Sequence, residues 1–154
     1  MKKIVFILLF MIFINVNAKV NVSLFYGEGC PYCKNFEEFA YKNSEKYDFN
    51  LIKYEVWSNK KNNDLLKKVA SKFGDTDIGI PYIVIGNKRI IGWTSAKTKL
   101  FVDLINKQKE YEMCDIINDN SCTKDSGTNI SIFKGTVFAT YIKNYATIVL
   151  NLFG

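Results

Sequence analysis

Cys30-Pro31-Tyr32-Cys33 is the stretch that most narrows what this chain can become, because two cysteines separated by two residues can close a disulfide reversibly at the start of a helix. The flanking sequence agrees with that placement. Val20 to Tyr26 alternates, is rich in β-branched and aromatic residues, and is closed by Gly27-Glu28-Gly29, so it reads as a strand. From Pro31 onward, Phe36, Phe39 and Ala40 recur at i, i+3 and i+4 among Lys34, Glu37 and Glu38, the stripe of an amphipathic helix running to about Lys46. The fold must therefore pass from strand to helix at the cysteines.

The same two periodicities divide the rest of the chain. Phe49 to Trp57 reads as a second strand, and Asn62 to Phe73 as a second helix with Leu65, Leu66, Val69, Ala70 and Phe73 on one stripe, ended by Gly74. Tyr82 to Ile85 and Lys88 to Gly92 are two apolar strands joined across Gly86-Asn87, a pair suited to a tight hairpin turn. Ala96 to Glu112 is a third helix, with Leu100, Phe101, Leu104 and Ile105 expected to face inward. The result is an α/β order, β-α-β-α-β-β-α, without internal repeats. Asn118 to Asn129 has the composition of a loop or linker.

Both ends of the chain lie outside this pattern. Residues 1–18 carry Lys2 and Lys3, an apolar run from Ile4 to Ile14, and the small-residue ending Val16-Asn17-Ala18, which together read as a cleaved export signal. The apolar run is shorter than the roughly 20 residues of a spanning helix. Removing 18 of the 154 residues leaves 136, enough for one domain with a core. Losing Lys2 and Lys3 lowers the net charge from +6 to +4, and with no basic block this argues against nucleic acid as a partner. At the other end, Thr136 to Phe153 is rich in apolar residues, but the uncharged run from Asn144 to Gly154 has only 11 residues, too few to span a bilayer. It is expected to pack on the domain, with contact to a membrane or a partner, or a disordered remnant, as the alternatives. The expected division is 1–18 signal peptide, 19–113 redox domain, and 114–154 extension with a second cysteine pair and the apolar tail.

The thiolate is the nucleophile in disulfide exchange, and a free thiol with a pKa of about 8.5 supplies little of it at neutral pH. Cys30 is placed at the N-terminal edge of the predicted helix, where unpaired backbone N–H groups and the helix dipole favour an anion. Pro31 suits the first helical position, since its missing N–H has no partner to lose there. Cys30 is therefore assigned as the attacking nucleophile, and Cys33, one turn in, as the resolving thiol. Lys34 would favour the Cys30 thiolate and Glu28 would oppose it. Zinc is the competing reading. It needs further ligands, and with no histidine in the chain only Cys114 and Cys122 could complete a four-cysteine set. A permanent structural disulfide is the other. Cys114 and Cys122 themselves, in an exported chain, are expected to form a disulfide that staples the fold by about 2–3 kcal/mol, with a second redox relay as the alternative.

Cys30-Pro31-Tyr32-Cys33 together with Gly79-Ile80-Pro81 opening an apolar strand resembles the thioredoxin and glutaredoxin superfamily across roughly Val20 to Glu112. The resemblance implies a thioredoxin-like fold with a central mixed sheet. It also implies a cis Ile80–Pro81 bond facing the cysteines, and substrate binding by Pro31, Tyr32, Ile80 and Pro81. The dipeptide between the cysteines and the run Gly86-Asn87-Lys88 with Ile91-Gly92 are similar to glutaredoxins. Trp93, Thr94 and Ser95, however, stand where those proteins carry a second glycine and an acid that hold glutathione. Leu24 stands where thioredoxins carry a buried aspartate, so the proton relay must differ from theirs.

A narrower likeness lies in Phe25 to Cys33, Tyr54-Glu55-Val56-Trp57, Ile80-Pro81, Gly92 and Cys114-Asp115-Ile116-Ile117. These resemble exported thioredoxin-like domains fused to membrane electron transporters of the DsbD/CcdA type. That likeness implies a thiol-disulfide oxidoreductase in the periplasm or on the outer face of the cytoplasmic membrane. Its expected partners are such a transporter and exported proteins bearing disulfides, with no cofactor beyond the Cys30/Cys33 pair. The alternatives are a non-catalytic module of the same fold that binds a protein or a metal, and an oxidase of the DsbA type. With no histidine between the cysteines, the expectation leans toward a reductase or isomerase.

Overall fold

The computed structural model describes residues 19–125; the expected signal peptide and apolar tail lie outside them. Four strands form one mixed sheet in the order β2-β1-β3-β4, with β1 at Val20–Tyr26, β2 at Phe49–Glu55, β3 at Tyr82–Ile85 and β4 at Lys88–Ile91. Helices α1 (Pro31–Tyr47), α2 (Lys60–Phe73) and α3 (Thr98–Tyr111) complete it, with a short 3₁₀ turn at Ser95–Lys97 before α3. This is the thioredoxin-like arrangement. β1 and β2 run parallel, which requires a long crossover, and α1 is that crossover; β1 and β3 run antiparallel, as do β3 and β4.

Both faces of the sheet are covered. On one face Val20, Val22, Leu24, Phe49, Ile83, Ile85 and Ile90 meet Phe36 and Ala40 of α1, Phe101, Leu104 and Ile105 of α3, and Trp93. The rings of Phe36 and Trp93 lie 4.8 Å apart edge to face, and Trp93 meets Phe101 at 5.9 Å in the same way. Such pairs contribute about 0.5–1.5 kcal/mol each beyond the area they bury. On the other face Phe25, Tyr82 and Val84 meet Leu66, Val69, Ala70 and Phe73 of α2, together with Ile116, Ile117 and Cys122 from the segment after α3. Alternation along β1 thus serves two cores, and Leu24 and Phe25, adjacent in sequence, belong to different ones.

Several boundaries shift for local reasons. Strand β2 ends at Glu55 rather than Trp57, because the Glu55 carboxylate gathers the following backbone N–H groups into a tight turn. Helix α2 starts at Lys60, two residues early, capped by Asn59, whose side chain accepts from the Asn62 backbone N–H at 3.1 Å. Lys60 and Lys61 add no apolar side chain, so periodicity cannot register that first turn. Leu100, expected to face inward, is exposed. On α3 the buried arc is set by Phe101, Leu104 and Ile105, and Leu100 falls beyond its edge. No helix among the described residues is long and apolar enough to cross a membrane.

Candidate active site

The end of β1 leads directly into the cysteines. The Cys30 backbone N–H donates to the Gly27 carbonyl at 3.1 Å, closing a β-turn whose third residue, Gly29, has φ +80°, a conformation that favours glycine. Cys30 is the N-cap of α1, with extended φ and ψ, and Pro31 occupies the first turn. The Cys33 backbone N–H donates to Cys30 Sγ at 3.2 Å. The sulfur therefore takes the place that a serine or aspartate oxygen takes in an ordinary helix cap, where an N–H and the helix dipole favour negative charge. The pair is disulfide-bonded, with Cα atoms 5.3 Å apart. Cys30 is 7% exposed and Cys33 1%, so Cys30 is the more open of the two. Lys34 and Glu28 are both exposed, and water screens what either does to the thiolate.

The sheet brings the other expected site residues to the same end. Phe25 pairs with Tyr82, so the start of β3 lies beside the end of β1, and the residues just before it are Ile80 and Pro81. The Ile80–Pro81 bond is cis. Pro81 is buried, Ile80 is half-buried, and Pro31 and Tyr32 are exposed on the first turn of α1. The Pro81 carbonyl accepts from the Gly92 N–H at 2.8 Å, which ties the proline to the end of β4. Leu24 is fully buried and apolar beneath this end of the sheet.

A polar knot not foreseen from the sequence fixes the loop that delivers the proline. Asp75, just after Gly74, accepts both Arg89 Nε and Nη2, and also the Tyr82 hydroxyl at 2.7 Å. Arg89 lies over the Phe73 ring, 4.9 Å from its centre. The Arg89 guanidinium, with help from Tyr82, holds the Asp75 carboxyl below the usual carboxylate range. Burial, reinforced by Asp75, pushes the Tyr82 hydroxyl upward, so it remains a donor. Because the Asp75 pKa is lower folded than unfolded, its contribution is present above about pH 4 and is lost as pH falls through the folded value. Asp75→Asn should cost about 1–2 kcal/mol at pH 7 and flatten the acid limb of stability, read by urea denaturation at pH 7 and pH 3. Equal losses at both pH values would show that the ion pair contributes nothing.

Cys114 and Cys122 are disulfide-bonded, with Cα atoms 5.8 Å apart, at the other pole. Ile116 N–H donates to the Gly86 carbonyl at 3.3 Å, and Gly86 lies at the hairpin end of β3, away from Pro81. Four residues of strand, on the order of 13 Å, therefore separate the two ends. Lys72 Nζ donates to the carbonyls of Ile116 at 2.7 Å and Asp119 at 2.9 Å, fastening the stapled loop to α2. Asn87, read as a turn residue, also reaches this segment, donating to the Thr123 carbonyl at 3.0 Å. The four cysteines are not assembled into one site, and no three His, Cys, Asp or Glu side chains among the described residues are grouped to hold a metal. A concavity of about 680 Å³ lies at this far pole, bordered by Lys19, Ser23, Asp48, Ile52 and Lys109.

No protein-family model matches the chain, and no curated protein matches it. Solved structures do. One, a protein from Agrobacterium tumefaciens, is 20% identical with a TM-score of 0.50, covering 60% of this chain and 46% of its own, so the chain spans about half that protein's length. A glutaredoxin from Archaeoglobus fulgidus is 27% identical with a TM-score of 0.40, covering 54% of this chain and 86% of its own. A thioredoxin pre-protein from Schistosoma mansoni is 22% identical with a TM-score of 0.40, covering 62% of this chain and 87% of its own.

Proposed function

We propose that this thioredoxin-like chain is a thiol-disulfide oxidoreductase, and the observation that carries the reading is Cys30 as a sulfur N-cap bonded to Cys33. In the reducing direction, the Cys30 thiolate attacks one sulfur of a substrate disulfide. The substrate S–S bond breaks, a mixed disulfide forms, and the other substrate sulfur leaves as a thiolate. Cys33 then loses its proton and attacks Cys30 Sγ, which releases the second substrate thiolate and closes the Cys30–Cys33 disulfide. Two electrons pass from the protein to the substrate. A dithiol donor must return them, and a membrane transporter of the DsbD/CcdA type is the donor we propose. Export to the periplasm or the outer membrane face belongs to the same proposal and is supported by the composition of residues 1–18. The substrates are then exported proteins bearing disulfides, and no cofactor is required beyond the cysteine pair.

Thiol trapping followed by mass spectrometry, across glutathione and dithiothreitol buffers, tests the reading. The first pair should cycle as a single two-electron couple, moving tenfold in ratio for every ~30 mV. A potential below about −200 mV supports a reductase, and one near about −120 mV would make the protein an oxidase. A pair that stays inert in excess dithiothreitol, or binds metal stoichiometrically, would overturn the proposal.

A further inference from the structure

Trp57 is 63% exposed, yet its backbone is held in place from several sides. The Val56 N–H donates to the Tyr26 carbonyl at 2.8 Å, which fixes the start of the loop to the end of β1, one residue before Gly27. The Glu55 carboxylate accepts from the backbone N–H groups of Trp57 at 2.8 Å, Ser58 at 3.0 Å and Asn59 at 3.0 Å, and from the Ser58 hydroxyl at 2.6 Å. The side chains of Asn62 and Asn63 donate to the carbonyls of Glu55 and Val56 at 2.9 and 3.0 Å. Its indole lies against Gly27, so closely that a Cβ there would come 2.2–2.6 Å from three ring carbons. Glycine is therefore required beneath the ring.

The position of this ring is what gives it meaning. Gly27 is the first residue of the turn that ends at Cys30, and the first and last Cα atoms of such a turn lie within about 7 Å. A polypeptide bonded to Cys30 Sγ therefore has the indole within reach of the residues that flank its own cysteine. A large aromatic ring with only two χ angles loses little entropy on binding and gains contact area, which is one reason tryptophan is enriched in binding hot spots. Tyr32, 57% exposed, adds a second ring on the first turn of α1.

We propose that Trp57 determines specificity: it is a stacking shelf for an apolar or aromatic residue next to the reacting cysteine of a polypeptide substrate, held by Glu55 and by the absence of a side chain at Gly27. The inference rests on the oxidoreductase reading and specifies its substrate class as polypeptide disulfides with apolar flanks.

The test uses two synthetic peptide disulfides, one with phenylalanine and leucine beside its cysteines, the other with serine and glycine. The wild-type protein should reduce the first with a kcat/KM roughly tenfold higher, mainly through KM. Trp57→Ala should bring the ratio close to one, Gly27→Ala should do the same by displacing the ring, and Trp57→Phe should keep most of the preference. Trp93, the other tryptophan, is buried, so the long-wavelength, iodide-quenchable emission belongs to Trp57 and should shift to the blue when the aromatic peptide is trapped on Cys33→Ser. If the wild type reduces both peptides equally, or Trp57→Ala slows both by the same factor, the shelf is wrong and the oxidoreductase reading stands. If the wild type neither reduces these peptides nor oxidises their dithiol forms, that reading itself fails and the shelf with it.

Discussion

Cys33→Ser should turn the protein from a catalyst into a trap. Cys30 would still attack a substrate disulfide, but no thiol would remain one turn away to release it, and the mixed disulfide should accumulate with the mass of one substrate chain added. Turnover should fall by at least ~10³-fold, since covalent catalysis needs both sulfurs and release would depend on external thiol. Cys30→Ser should neither turn over nor trap, because Cys33 is nearly inaccessible behind it. Mass spectrometry under non-reducing conditions reads both outcomes. A trapped adduct on Cys30→Ser would reverse the two roles.

Removing the second disulfide should have the largest effect on stability. The Cys114→Ser, Cys122→Ser double variant opens a loop with a sequence separation of 8, worth about 2–3 kcal/mol in the chain-entropy treatment. For a domain of this size that is a fall in Tm on the order of 10 °C. The loop also holds Ile116 and Ile117 over the sheet face shared with α2, so loosening it exposes apolar surface as well. The Cys30/Cys33 couple lies at the other pole and should titrate as before. An unchanged Tm with an altered first couple would instead identify the second pair as a relay.

Much of this was legible in the sequence because it depends on local spacing. The i, i+3, i+4 stripes of α1 and α2, the alternation of β1 and the Gly86 turn each depend on neighbours within a few residues, and the order of elements follows from them. The placement of the cysteines at a strand-to-helix junction is local in the same sense. What escaped depends on residues that meet only after folding. Trp57 reads as one more apolar residue of a strand until Val56 bonds to Tyr26 and the Glu55 carboxylate, pulled down to about 2 first by the Ser58 hydroxyl, bends the chain. Asp75 and Arg89 are unremarkable loop and strand charges until the sheet aligns them. Asn87 carries a turn signal that conceals a buried side chain bound to a segment 36 residues away.

The polar separation of the two disulfides has a consequence for the protein's own integrity. Four cysteines can pair in three ways, and only one leaves Cys30 free to cycle with Cys33. A dithiol catalyst that contains a second disulfide, as the proposed function makes this chain, would carry a potential substrate within itself, and every turnover would expose that bond to a nucleophilic sulfur. Here the length of β3 keeps Cys30 from reaching it within one molecule. Of that disulfide's two residues Cys122 is 2% exposed beneath Ile116 and α2 and Cys114 is half-buried, which limits approach by the Cys30 of another molecule. The fold thus distinguishes the bond that must break from the bond that must last by where each is placed, although the chemistry of the four sulfurs is the same.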